Sequence, residues 1–238
     1  MILDTRKTAI LWSVIETHVA SAAPVSSHIV VERSGVDASP ATIRNDMAVL
    51  EEGGYLRQPH TSAGRVPTEL AYRSYVEYLL QNRTNPVPRS ARMVVALMEE
   101  TEEDDMRSIG KMLARALAEV TAEAIVVGFA RGDVYATGLA HLVVQPEFQD
   151  PTVLQAFSVA VDHLEETLDT LTERVGHGPT VLLGSQNPFG PQCGTVASAW
   201  ELPEGHQMTL GIVGPMRMAY DRHLGLLRAL DDVMRETV

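Results

Sequence analysis

The sequence predicts an α+β protein in two parts: a helical N-terminal domain carrying a short hairpin, and a C-terminal domain of mixed helices and strands. Three observations predict it. Apolar residues from Thr5 to Leu80 recur at helical spacing, interrupted by one turn-rich segment around Pro59 to Arg65. A proline-spaced polar stretch, Asn82 to Ser90, has linker composition. Beyond Met106, amphipathic helices alternate with short apolar runs of strand length. The expected boundaries are 1–82, a connector over 83–105, and 106–238.

Helix one runs from Thr5 to about Ala22, with Ile10, Leu11, Val14, Ile15 and Val19 on one stripe and Asp4 or Thr5 as cap. Pro24-Val25-Ser26 turns the chain, Ser27 to Ser34 forms a short second helix, and Gly35-Val36-Asp37-Ala38 turns into a third. That third helix carries the most informative residues of the chain, Ser39-Pro40-Ala41-Thr42-Ile43-Arg44-Asn45-Asp46-Met47. Ser39 suits the N-cap, and Pro40 suits the first helical position because its missing N–H has no intrahelical partner there. Ile43, Met47 and Leu50 make a buried stripe, which leaves Thr42, Arg44, Asn45 and Asp46 off the core face. Arg pairs with guanine or with phosphate, Asn pairs with adenine, and Thr meets a thymine methyl. These nine residues alone are equally those of an ordinary capped surface helix, so the context decides.

The context is helix, turn, helix, then hairpin. Gly53-Gly54 closes the third helix and Tyr55 to Gln58 follows as a strand. Pro59-His60-Thr61-Ser62-Ala63-Gly64-Arg65 is a polar tip before the return through Val66. Thr68 caps a further helix bearing Leu70, Tyr72, Tyr75, Val76, Leu79 and Leu80. The order is that of a winged helix-turn-helix of about eighty residues, a DNA-binding architecture.

In the second part, Met106 to Val120 is amphipathic, Ala124 to Phe129 is a strand, Ala130 to Asp133 is a tight turn, and Val134 to Val144 is strand then short helix. Phe157 to Val175 reads as one long helix. Val181 to Leu183 and Leu210 to Gly214 read as strands, and His223 to Val238 as a closing helix. No run reaches the roughly eighteen apolar residues of a membrane span, and the start lacks the pattern of a signal peptide. One cysteine, Cys193, excludes an internal disulfide and suits a cytoplasmic location.

Several segments together resemble the HrcA family of heat-inducible transcription repressors. They are Ala23 to Ser27, Ser39 to Met47, the specific Gln58 to Thr68 hairpin sequence, and Tyr72 to Val76. Downstream they continue with Gly138 to Leu142, Gln145 to Phe148, Gly184 to Pro188, and Leu210 to Tyr220. The resemblance implies that the second domain is a reduced GAF-like α+β sensor domain. Between Phe129 and Gly138 the family carries further strands and a large inserted dimerising subdomain, so this chain reads as a shortened member. The helix from Met106 and the final helix are the candidates for a replacement dimer contact. The resemblance further implies a homodimer on double-stranded DNA, bound to an inverted-repeat operator of the CIRCE type before chaperone genes. It implies activity maintained by a GroE-type chaperonin. It assigns base readout to Thr42, Arg44 and Asn45, phosphate positioning to Ser39, Thr61 and Arg65, and hairpin geometry to Gly64, with Ser62 also in the tip. His60 is either a phosphate contact or a plain exposed histidine.

Charge divides with the domains: residues 1–90 hold 9 Lys+Arg against 9 Asp+Glu, so the whole net charge of −12 resides downstream. Phosphate affinity rises with each Lys or Arg that displaces counterions, so a balanced N-terminal domain predicts modest non-specific binding and a shallow salt dependence. The acidic run Glu99 to Asp105 reads as a solvated face. The glycine-rich Gly184 to Gly194 lacks the Lys-Ser/Thr ending of a phosphate loop, and the histidines show no zinc spacing, so neither cofactor nor metal is expected. No nucleophile, base and oxyanion set assembles, so the chain does not read as an enzyme. A regulator that responds to a small ligand in the second domain is the alternative reading.

Overall fold

The computed structural model describes residues 3–60, 63–82, 89–99, 105–130, 132–176, 178–201 and 207–237. The chain divides into two compact units, Met1–Asn82 with Arg217–Ala219, and Arg83–Met216 with Tyr220–Val238. It is a mixed helix and strand protein, and no helix among the described residues is long and apolar enough to cross a membrane.

In the first unit, α1 (Thr5–Ser21), α2 (Ser27–Arg33) and α3 (Pro40–Glu52) are followed by β1 (Leu56–Arg57), β2 (Val66–Pro67) and α4 (Glu69–Gln81). Asp4 caps α1 by accepting from the Lys7 N–H at 2.8 Å, and Ala22 ends it in the left-handed region. Ile10, Leu11, Val14, Ile15, Val30, Ile43, Met47 and Leu50 form the core beneath the hairpin. Each such side chain contributes about 1.5–3 kcal/mol by leaving water. Trp12 packs on Tyr75 with ring centroids 5.2 Å apart, and His18 Nδ1 lies 2.8 Å from the Tyr72 hydroxyl, which docks α4 on α1. Leu70 and Leu80 stay exposed, outside that contact.

One expectation about α3 is corrected. Asp46 is buried, because Arg6 of α1 reaches across and donates to its Oδ1 at 2.9 Å. Its partner lies forty residues away in sequence, so the local pattern did not show it.

In the second unit, α5 (Arg89–Glu99) and α6 (Met106–Thr121) precede β3 (Ala124–Ala130) and β4 (Asp133–Thr137). Next come α7 (Leu139–Val143), a single 3-10 turn, α8 (Pro151–Asp162), α9 (Leu164–Arg174) and β5 (Thr180–Leu183). A second 3-10 turn, β6 (Cys193–Glu201), β7 (Gln207–Pro215) and α10 (Tyr220–Thr237) complete it. The five strands form one antiparallel sheet in the order β4-β3-β7-β6-β5. Both faces are covered, which accounts for the near-continuous burial along β6 and β7. On one face, Gly128 and Gly211 sit under Leu168 and Leu171 of α9, and Thr209 accepts from Thr172 at 2.9 Å. On the other, Gly110 of α6 lets Phe129 and Met208 approach, and Trp200 donates to Asp231 of α10 at 2.9 Å.

Three expectations here change. Part of the connector is structured: Arg89–Glu99 is a helix that buries Ala91 and Val94. The long helix from Phe157 is two helices, broken at His163, whose backbone (φ −109, ψ 46) is not helical. The Thr167 hydroxyl, which donates to Ala160 O at 2.9 Å, closes the break. Strand β6 was not foreseen at all. In α10, Leu224, Leu226, Leu227 and Leu230 are fully buried. Asp221, Arg222, Asp232 and Arg235 of the same helix are exposed.

Candidate nucleic-acid interface

The start of α3 is built by its cap. Ser39 Oγ accepts from the Thr42 N–H at 3.1 Å and lies 2.9 Å from the Thr42 hydroxyl, so both residues are held at the first turn. Arg44 and Asn45 follow on the exposed surface, while Ile43 and Met47 are buried in the core. An exposed α-helix end with an amide and a guanidinium on rigid backbone is suited to reading groove edges.

The hairpin beside it is fixed by three devices. Leu56 pairs with Pro67 and Arg57 with Val66. Val25 and Arg65 then exchange two backbone hydrogen bonds, of 2.8 and 2.9 Å, joining the hairpin to the segment before α2. That approach requires Gly64: a Cβ there would lie 2.3 Å from the Val25 carbonyl oxygen. The third device is Glu51, in the last turn of α3. Its Oε1 accepts from the Gln58 N–H at 3.0 Å, and its Oε2 accepts from Arg65 Nε at 2.9 Å. One carboxylate thus holds both arms of the hairpin to α3. Gln58 Nε2 donates to Ala63 O at 2.9 Å and narrows the tip.

Ser39, Arg44, Asn45 and His60 are exposed and Thr42 and Arg65 are half-buried; of these, Arg44 and Arg65 line one cleft. Thr61 and Ser62 lie outside the described residues. Between α3 and the hairpin runs a cleft of about 380 Å³, with Ser26, His28, Arg44, Gln58, Gly64 and Arg65 along its walls. His28, Gln58 and Glu51 were missed by sequence reasoning. The signal for Glu51 was present, since it follows Arg44 by seven residues on one helical stripe, but its partners come from a separate element.

Cations in this unit are mostly committed. Arg6 pairs with Asp46, Lys7 with Asp4, Arg65 with Glu51 and Arg73 with Glu69. Among the described residues of the unit, Arg33, Arg44 and Arg57 stand in no such ion pair.

In the second unit, Cys193 is buried and its thiol is pushed up to about 12 by burial, so it is protonated at neutral pH. The glycine-rich loop is internally tied: Asn187 Nδ2 donates to Leu182 O at 3.0 Å and to the Thr195 hydroxyl at 2.9 Å, and Phe189 N–H donates back to Asn187 Oδ1 at 2.9 Å. Its amides serve a turn.

Residues 72–224 match the family model described as the HrcA protein C terminal domain. That span begins after the hairpin. Curated relatives named heat-inducible transcription repressor HrcA include one from Kineococcus radiotolerans, 45% identical over 126 residues, covering 53% of this chain and 36% of the relative. Another, from Carboxydothermus hydrogenoformans, is 42% identical over 113 residues, covering 48% of this chain and 32% of the relative. The chain thus spans about a third of the length of the curated relatives it matches. A crystal structure described only as a hypothetical protein superposes with a TM-score of 0.76 over 100% of both chains at 19% identity, which bears on fold alone.

Proposed function

The chain belongs to the HrcA family, and on that premise we propose that it is a heat-inducible transcription repressor acting through a winged helix-turn-helix, with α3 as recognition helix and the β1–β2 hairpin as wing. The second unit is then the reduced GAF-like sensor domain. The observation that carries this reading is the Glu51 clasp, which sets a wing at fixed distance from an exposed helix face bearing Arg44 and Asn45. Thr42 and Asn45 read bases; Ser39, His60, Thr61 and Ser62 meet backbone; Arg65 holds the wing and completes its phosphate-facing edge. A dimer on an inverted repeat of the CIRCE type matches protein symmetry to operator symmetry. Upkeep by a GroE-type chaperonin makes heat the signal, since chaperonin diverted to other clients leaves the repressor unsupported. The test is a gel shift with a CIRCE-type duplex against a scrambled duplex of equal length. Retention of the first at concentrations that leave the second free supports the reading, and equal or absent binding rejects it.

A second reading has one observation in its favour. A cavity of about 470 Å³ opens in the second unit, lined by Val175, Trp200, Gln207, Asp231, Met234 and Arg235. Its mix of an aromatic wall with an acid and a base suits a small polar ligand. A metabolite screen for a raised thermal midpoint tests it, because a ligand that binds only the folded state must stabilise it.

A further inference from the structure

We infer that one sugar-phosphate strand of the bound duplex crosses the cleft between α3 and the hairpin, and that Arg44 grips a phosphate there instead of reading a base. This rests on the winged-helix reading above and departs from the base readout expected of Arg44, whose guanidinium can pair with guanine or with phosphate. When a helix lies in the major groove and a hairpin in the adjacent minor groove, the two grooves are separated by a single backbone strand. That strand must pass between the two protein elements.

Arg44, Met47 and Glu51 follow one another at i, i+3 and i+7 and therefore share one stripe of α3. The direction of that stripe is fixed by Glu51, whose two oxygens hold Gln58 and Arg65 of the hairpin. Arg44 therefore points to the wing side. The cleft walls agree: Arg44 and Met47 line it from α3, His28 from α2, and Gly64 and Arg65 from the hairpin. Asn45, one residue on and about 100° further round the helix, is not among the lining residues and keeps an exposed side chain.

Among the cleft's two guanidinium groups, Arg65 is neutralised by Glu51, with only 14% of its side chain exposed, whereas Arg44 is exposed and stands in no ion pair among the described residues. Arg44 is thus the cation the cleft presents to a phosphodiester. Backbone gripped here fixes register, and base discrimination falls to Thr42 and Asn45.

The test compares the full chain with its Arg44→Gln, Arg44→Lys and Asn45→Ala variants, titrated with a CIRCE-type duplex and with a scrambled duplex across about 50–200 mM salt. Equal thermal midpoints confirm that each variant is folded. Arg44→Gln is expected to weaken both duplexes by the same factor and to flatten the slope of log K against log salt by about 0.9 per monomer. Arg44→Lys is expected to restore the slope, since a phosphate accepts any cation. Asn45→Ala is expected to weaken the CIRCE-type duplex alone. Loss on the CIRCE-type duplex alone for Arg44→Gln, with the slope unchanged and no rescue by Lys, overturns the inference while leaving the winged-helix reading intact. A wild-type chain that binds neither duplex removes that reading and this inference with it.

Discussion

Replacing Gly64 with alanine forces the hairpin off the segment it leans on. The new Cβ would lie 2.3 Å from the oxygen, 2.5 Å from the carbon and 2.9 Å from the nitrogen of Val25, all backbone atoms that have no rotamer to change. Relief requires the hairpin to retreat by roughly an ångström, which breaks the 2.8 and 2.9 Å hydrogen bonds between Val25 and Arg65. Two such bonds at about 1 kcal/mol each, with about 1–2 kcal/mol of residual overpacking, give about 3–4 kcal/mol. Native-state hydrogen exchange reads this locally: the Val25 and Arg65 amides should exchange about 100 to 1,000 times faster, while amides deep in α1 change less. Gly35→Ala is the control, because Gly35 has φ +66 but nothing within 4 Å of its Cβ site. It should cost only the left-handed penalty of about 1–2 kcal/mol and leave the hairpin amides protected. Wild-type protection of Val25 and Arg65 in Gly64→Ala would refute the close-approach argument.

Glu51→Ala removes both hairpin clasps and should lower stability by about 1–2 kcal/mol in urea unfolding, with Glu51→Gln losing less because it retains an acceptor for the Gln58 amide; equal losses would show that the carboxylate charge alone matters. Cys193, buried and with its thiol raised to about 12 by burial, should resist iodoacetamide at pH 8 until the second unit unfolds, as mass spectrometry will show. His223 is lowered to about 3, first by burial and then by Arg222, so the folded chain refuses a proton that the unfolded chain accepts below about 6.5. Its stabilising contribution is therefore complete above pH 6.5 and is lost as pH falls toward 3, at up to about 1.4 kcal/mol per pH unit. Asp231, raised by burial, works in the opposite direction as pH falls, so the diagnostic is the difference between wild type and His223→Gln in acid unfolding: the variant should lose less stability over that range.

The first unit was legible because its signals are local. The Ser39-Pro40 start is set by capping chemistry, and the Ile43, Met47, Leu50 stripe by helical period, and α3 begins and buries as those features require. What the sequence hid depends on distant partners. Asp46 reads as surface until Arg6 arrives, and Glu51 reads as a solvated helix end until the hairpin folds back onto it. In the second unit, β6 carries Gly194, Ala197, Ser198 and Ala199, residues with little strand preference of their own. Nine rungs of pairing with β7 impose the strand. The break at His163 is equally silent, because no Gly or Pro marks it and apolar periodicity runs through it. Helix α5 follows Pro86 and Pro88, whose linker composition masked the amphipathic residues after them. Of the candidate site, the helix was readable; the cleft, which needs α2, α3 and the hairpin together, was not.

Hydroxyl-radical footprinting of the full chain on a CIRCE-type duplex at low salt tests the central claim directly. If α3 and the hairpin straddle one strand, each half-site should show a short block of protected sugars on the strand between a major groove and its adjacent minor groove, the blocks repeating in two-fold symmetry. Uniform cleavage along both strands, at protein concentrations that saturate a gel shift of the same duplex, would contradict it.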